Sequence, residues 1–252
     1  PLNPNVAMIH NSGQGYGNVS PSRPSQIRYT YKFLNRQGAL AIALVDPNKG
    51  ELARDINGNK TAGSRETKIP RLDIGIAYKT YNWQIFPSIF VHNQDYSAGD
   101  KLTSFGYSIA AKTASGPFTL SAEFGSGRNW GNTRMSLSGS DAGDNADAIY
   151  DDTGRKLADN DNTGYWIDVG YRFSGEYLKG AVHFIYGSLS SEADNFRDID
   201  STMVGVSAPI DLPWIAKGFR IRPELFRFED QDNLLNTTQS KTIAGVQLQF
   251  TF

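Results

Sequence analysis

The sequence predicts an all-β fold, specifically a transmembrane antiparallel β-barrel. Three observations carry that expectation. Apolar and polar residues alternate along most of the chain, short and long connections alternate between the alternating segments, and aromatics gather near segment ends. The closing stretch VQLQFTF (246–252) is a compact example, with Val246, Leu248, Phe250 and Phe252 set against Gln247, Gln249 and Thr251. In a water-soluble sandwich the polar set faces solvent and the apolar set a core. In a membrane barrel the apolar set faces lipid and the polar set a wet lumen.

Residues 1–25 are rich in Gly, Asn, Ser and Pro with a few apolar anchors (Val6, Met8, Ile9), and read as a loop. Eleven strands follow, at 26–33, 38–46, 69–81, 83–95, 102–114, 117–128, 163–174, 177–189, 201–212, 219–230 and 240–252. Their lengths suit the roughly 9–11 residues that a tilted strand needs to cross a bilayer. On 26–33, Ile27, Tyr29, Tyr31 and Phe33 oppose Arg28, Thr30 and Lys32. Strand 38–46 is apolar on both faces, with Ala39, Ala41 and Ala43 forming a small-residue face that another element would cover. On 69–81, Leu72, Ile74, Ile76 and Tyr78 oppose Arg71, Asp73, Gly75, Ala77 and Lys79. On 163–174, Tyr165, Ile167, Val169, Tyr171 and Phe173 oppose Trp166, Asp168, Gly170 and Arg172. Strand 201–212 is interrupted by Pro209.

The connections at 34–37, Asn82, 115–116, 175–176 and 213–218 are short, and 96–101 is intermediate. Those at 47–68, 129–162, 190–200 and 231–239 are long, and all of them fall at the same end of the predicted barrel. Short periplasmic turns and long extracellular loops produce this rhythm, whereas a soluble sandwich has no cause to. A soluble sandwich or lipocalin-like barrel would also scatter Lys, Glu and Thr over its outward face.

Composition excludes several classes. The net charge of -1 argues against a nucleic-acid binder that neutralises phosphates. No run approaches the roughly 18 apolar residues of a membrane helix. The chain has no cysteine, so a disulfide scaffold, a thiolate metal site and a Cys nucleophile are out.

The terminal QLQFTF, the amphipathic strands, the loop rhythm and the aromatic belts together resemble Gram-negative outer-membrane porins. A narrower resemblance, to the homotrimeric porins of sulfate-reducing bacteria, rests on no separate motif. The resemblance implies an outer-membrane location, a terminal aromatic strand read during barrel insertion, about 16–18 strands and a third extracellular loop folded into the lumen. Bacterial single-chain barrels use an even number of strands. If the last strand here is the sixteenth, the eleven strands are numbers 6–16 of a longer barrel and residues 1–25 belong to the constriction loop. That reading also accounts for the absence of a signal peptide. The alternative is a complete 12-stranded barrel with a further strand inside 1–20. Either way 1–252 is one barrel domain.

On the lumen parity lie the cations Arg28, Lys32, Arg71, Lys79, Lys112, Arg172, Lys179, Arg220 and Arg222, with the anions Asp73, Glu123, Asp168 and Glu224. Charged rings set ion preference in a pore, so a basic wall predicts mild anion preference. The plainer reading of any one of these charges is a solvated or paired wall residue, as Arg71 with Asp73. The other inward positions read as mainly Gly, Ser, Ala and Gln, too small to plug a wide barrel. Loop 129–162 is acidic, and its Asp141, Asp144 and Asp147 form a candidate Ca²⁺ cluster without an EF-hand pattern. An enzyme is the rival class. His92 and His183 share the lumen parity, but neither GSGR at 125–128 nor any other segment makes a nucleophile elbow. The expectation is therefore a non-enzymatic diffusion channel for small hydrophilic solutes and ions, trimeric, in contact with lipid and lipopolysaccharide, needing no cofactor and binding no nucleic acid. A substrate-specific channel, a non-conducting adhesive barrel and an outer-membrane hydrolase are the alternatives.

Overall fold

A computed structural model describes residues 20–21, 25–45, 54–55, 65–66, 69–96, 101–131, 135–136, 142, 146–151 and 153–250. Eleven long strands form one sheet: β1 (Gln26–Phe33), β2 (Gly38–Val45), β3 (Arg71–Lys79), β4 (Trp83–Tyr96), β5 (Lys101–Ser115), β6 (Phe118–Arg128), β7 (Asp161–Ser174), β8 (Lys179–Ala193), β9 (Arg197–Ser207), β10 (Phe219–Asp232) and β11 (Thr237–Phe250). Each pairs antiparallel with its neighbour in sequence, so the wall is an unbroken meander. The strand count and alternation match the sequence reading. In the described sheet β1 and β11 each keep one unpaired edge.

The two faces are inverted relative to a soluble protein. Val169 is 42% exposed and Leu248 68%, while the charged Arg71, on the other face, is only 3% exposed. Cross-strand partners share a face, so rows can be followed round the wall. Leu120, Val169 and Phe184 form one exposed apolar row. Ser121, Asp168 and Ile185, one residue along, form a row on the opposite face, where Ser121 and Asp168 are buried. A continuous apolar exterior of this extent is a lipid-facing surface rather than a water-facing one. Aromatic contacts flank it: Phe118 with Tyr171 at 5.3 Å near the short turns, Tyr165 with Tyr186 at 5.9 Å and Tyr107 with Phe124 at 6.2 Å further up. Above them the outward face turns polar, first with Ser126 bonded to Thr163 and then with Arg128 bonded to Asp161.

The connections at 190–200 and 231–239 are shorter than the sequence reading expects. β8 and β9 continue through the polar Ser190–Glu192 and Arg197–Asp200 stretches to a turn at Asp194–Phe196. β10 and β11 meet at Asn233–Asn236. Asn195 and Asn236 take positive φ (60° and 51°), and the Asp232 carboxylate accepts from Leu235 N at 2.9 Å. Polar sequence signals exposure, and here exposure comes from strands that run beyond the apolar band rather than from loss of pairing. Loop 47–68 is described only at Arg54–Asp55 and Arg65–Glu66.

The inner face also departs from expectation. Trp166, Ile185, Met203, Phe226 and Phe228 form a buried apolar cluster with Ile243 packed on it. The Phe226 ring lies across Gly205 of the adjacent strand, where an added methyl group would meet Phe226 Cγ at 2.7 Å. Large inward residues are thus accommodated on small neighbours, a pairing that single-strand alternation does not reveal.

Candidate pore lining and its inward-folded segment

The segment joining β6 to β7 packs on the inner face of the wall instead of standing clear of it. At its root Asn129 and Asn160 exchange hydrogen bonds, Asn129 N to Asn160 O at 2.7 Å and Asn160 N to Asn129 Oδ1 at 2.8 Å. Asn162 Nδ2 and Ser191 Oγ both donate to Asn160 Oδ1, at 2.7 and 2.9 Å. Trp130 follows, fully buried, its Nε1 donating to Phe105 O at 3.0 Å and its ring meeting Phe90 edge-on at 5.9 Å. Gly106 and Gly127 make this approach possible, since a methyl group at either would enter the indole. Further along, Ala142 and Ala146 pack against Leu189 and Ile199, and Ala142 N donates to Ser201 Oγ at 3.1 Å. Arg197 donates to Asp147 O at 3.1 Å.

The expected inward-folded segment was 1–25. Of it only Ser20, Pro21 and Ser25 are described, and Ser20–Pro21 pairs with Met135–Ser136 of the β6–β7 connection. The connection expected as the extracellular loop 129–162 instead packs on the inner face at its described residues Trp130, Ala142, Ala146, Ala148 and Tyr150. Of the Ca²⁺ candidates, Asp141 and Asp144 lie outside the described residues, and Asp147 is held at the wall beside Arg197.

At the base of this segment Asp159 gathers Lys156 Nζ and Asn129 Nδ2, both at 2.9 Å, with Arg128 at 3.9 Å. Burial alone would raise its pKa, but the hydrogen bonds and the two cations outweigh it and hold the carboxyl below its usual range. A depressed carboxyl stabilises above its unfolded value of about 3.9 and loses that contribution as pH falls through the folded value. Amide exchange over 129–160, corrected for intrinsic rate, should therefore be faster at pH 3 than at pH 6. Asp159→Asn should remove most of that difference; equal protection at both pH values would refute the latch.

The inward carboxylates are each engaged. Trp166 Nε1 donates to Glu123 Oε2 at 3.0 Å, His183 Nδ1 lies 2.8 Å from Asp168 Oδ1, and Ser207 Oγ donates to Glu224 Oε1 at 2.8 Å. Asp73 is bound in bidentate fashion by Arg71, at 2.7 and 2.8 Å, and the guanidinium sits 5.9 Å over the Phe90 ring. The cations divide differently. Arg220 is paired with Asp211 at 2.6 Å, and Arg172 donates to Gly116 O at 3.0 Å. Arg28, Lys32, Lys79, Lys112, Lys179 and Arg222 form no ion pair among the described residues. Lys179 and Arg220 share a cavity of about 310 Å³ with Asp211 and Gln249 at the short-turn end. Asp211 and the asparagine clasp are the residues that sequence reading missed. The one signal was the recurrence of Asn at 129, 160 and 162, at both roots of the longest connection.

No protein-family model and no curated protein sequence matches the chain. Solved structures do. The outer membrane channel DcaP of Acinetobacter baumannii matches 100% of this chain with 68% of its own length, at a TM-score of 0.75 and 16% identity. This is the outer-membrane porin fold. The porin fold recurs in the anion-selective porin from Comamonas acidovorans (TM-score 0.53, 10% identity, 94% of this chain and 64% of that one). It also recurs in the trimer form of OmpT, an outer membrane protein of Vibrio cholerae (0.52, 10%, 98% and 71%). The chain thus spans 64% to 71% of the lengths of these porin-fold proteins.

Proposed function

We propose that the chain forms most of the wall of a water-filled outer-membrane channel through which small hydrophilic solutes and ions diffuse passively, with mild anion preference. The carrying observation is the state of the lumen face. Its cations outnumber its carboxylates, Asp73 and Asp211 are ion-paired in the wall, and Lys79, Lys112, Lys179 and Arg222 form no ion pair among the described residues. The charge that a permeating ion meets is therefore basic. The channel breaks no bond. His183 is bound to Asp168, and the hydroxyl of Ser207, directly across the strand pair from His183, is committed to Glu224, which leaves no activated nucleophile between them.

Backbone groups at the edges of β1 and β11 require partners in a bilayer. With eleven antiparallel strands these two edges run parallel. Antiparallel closure then takes an odd number of additional strands, which the sixteen-strand reading (five) and the twelve-strand reading (one) both satisfy. The protein assembles as a homotrimer, with its polar hairpin tips at the lipopolysaccharide surface. Conductance of the native protein in planar bilayers tests the reading: ion flow closing in steps of three supports it, and a protein that folds but does not conduct refutes it. The double variant Arg220→Glu with Arg222→Glu should shift the reversal potential in a KCl gradient toward cation preference. An unchanged potential would remove these two arginines from the selectivity wall.

A further inference from the structure

We infer that the lumen wall carries a proton-operated charge, the His183–Asp168 pair, through which the channel gains anion preference as pH falls from about 8 to about 5.5. The inference rests on the pore reading above and adds to it the residue that couples selectivity to the surrounding pH.

The contact itself defines the chemistry. His183 Nδ1 lies 2.8 Å from Asp168 Oδ1. An ionised carboxylate only accepts hydrogen bonds, so Nδ1 carries the proton of the neutral ring and donates it, and Nε2 is where a second proton binds. The pair therefore holds one negative charge while the imidazole is neutral and none once it is protonated. Three strands build the seat. Gly170 of β7 stands directly across the ladder from His183, and a methyl group there would meet His183 Nδ1 at 2.9 Å. The bare glycine gives the ring its room, and Thr119 of β6 lies on its other side. The imidazole keeps 15% exposure and the Asp168 side chain 6%, whereas His92 is buried. Of the two histidines among the described residues, His183 is the one that water in the lumen reaches.

The charges around the ring set the size of the effect. On β7 the inner face carries Asp168 and Arg172, and on β8 it carries Lys179 beside His183 itself. On β9 the residue directly opposite is Ser207, which has no charge and donates to Glu224 Oε1 of β10 at 2.8 Å. β10 also brings Arg222, together with Arg220, whose charge is balanced by its ion pair with Asp211. β6 presents Thr119 and Ser121 at this level and nothing titratable. Apart from that ion pair and the turns, three cations thus face two ionised carboxylates from Asp168 down to the short turns, a net charge of one. Protonating His183 raises it to two. Neighbouring strands lie about 4.8 Å apart, so His183 and Glu224 are roughly 10 Å apart, about one Debye length at 0.1 M salt. A permeating ion beside this wall meets these charges together. In water, carboxyl groups titrate near pH 4 and ammonium and guanidinium groups above about pH 10, so an imidazole is the side chain that changes charge in this window.

The test uses the full native protein in planar bilayers, with reversal potentials read in a KCl gradient near about 0.1 M, where screening is weakest relative to the spacing of these charges. The chloride-to-potassium permeability ratio should rise roughly two-fold between about pH 8 and about pH 5.5, as the net charge of this wall doubles. His183→Gln should keep the ratio seen at the higher pH and lose the rise. Asp168→Asn is the independent check, because it removes one negative charge without a proton. Its ratio at the higher pH should already match that of the unmodified protein at the lower. An unmodified protein with one ratio at both pH values, a His183→Gln protein that retains the rise, or an Asp168→Asn protein with an unchanged ratio at the higher pH would overturn the inference and leave the pore reading intact. Absence of conductance at both pH values would overturn both.

Discussion

Val169→Arg should destabilise the folded protein by about 2–4 kcal/mol, the cost of an arginine on the lipid face near the bilayer midplane. Val169 stands midway along the apolar band of β7, between Tyr165 and Phe173, with Leu120 and Phe184 directly beside it on the neighbouring strands. Its cross-strand partners Leu120 and Phe184 offer a guanidinium no carboxylate, so the charge must either stay in hydrocarbon or drag water to itself. Lys112→Gln, on the opposite face and exposed, should change stability by less than about 0.5 kcal/mol. Urea unfolding from liposomes reads both variants against the unmodified protein. If Val169→Arg folds with wild-type stability while Lys112→Gln does not, the faces have been assigned the wrong way round.

Gly127→Ala is expected to cost about 3 kcal/mol or more, although it adds only a methyl group. That methyl would stand 2.5 Å from Gly106 Cα and closer still to Phe105 O and Trp130 Nε1. Two of these three are backbone atoms of the adjacent strand and cannot swing aside, so the indole must leave its seat or the ladder must open. Gly245→Ala supplies the comparison, since a methyl group there meets nothing within 4 Å and should be close to neutral. Near-ultraviolet circular dichroism of the tryptophans, followed through thermal unfolding, distinguishes the two. A Gly127→Ala protein with unchanged tryptophan signal and stability would show that Trp130 is not held where the structure places it.

Much of the wall was legible in the sequence because its information is local. A period of two in Tyr165–Phe173 or Val246–Phe250 is decided by each strand alone, and the rhythm of short and long connections then decides that the apolar face meets lipid. The short turns were legible for the same reason. What escaped was everything that depends on register between strands or on contacts far apart in sequence. His183 pairs with Asp168 only because β7 and β8 align Gly170 opposite His183, leaving room for the imidazole to lie across the glycine. Trp130 could be read as one more loop residue until Gly106 and Gly127, on two different strands, combine to make its seat. The polar tips at 190–200 and 231–239 misled for a third reason: above a bilayer, a strand and a loop can have the same composition. Which of the charges on the lumen parity find a partner depended on Trp166, Ser207 and Asp211, none of them conspicuous in its own strand.

The meander has a further consequence for how such a wall can grow. Because every long strand joins only its immediate predecessor and successor, adding a hairpin leaves the existing ladders untouched and presents the same kind of rim to the next arrival. Circumference is therefore adjustable in steps of two strands, without rewiring anything already laid down. Gene duplication or loss of one hairpin would widen or narrow the cylinder while preserving its inside and its outside.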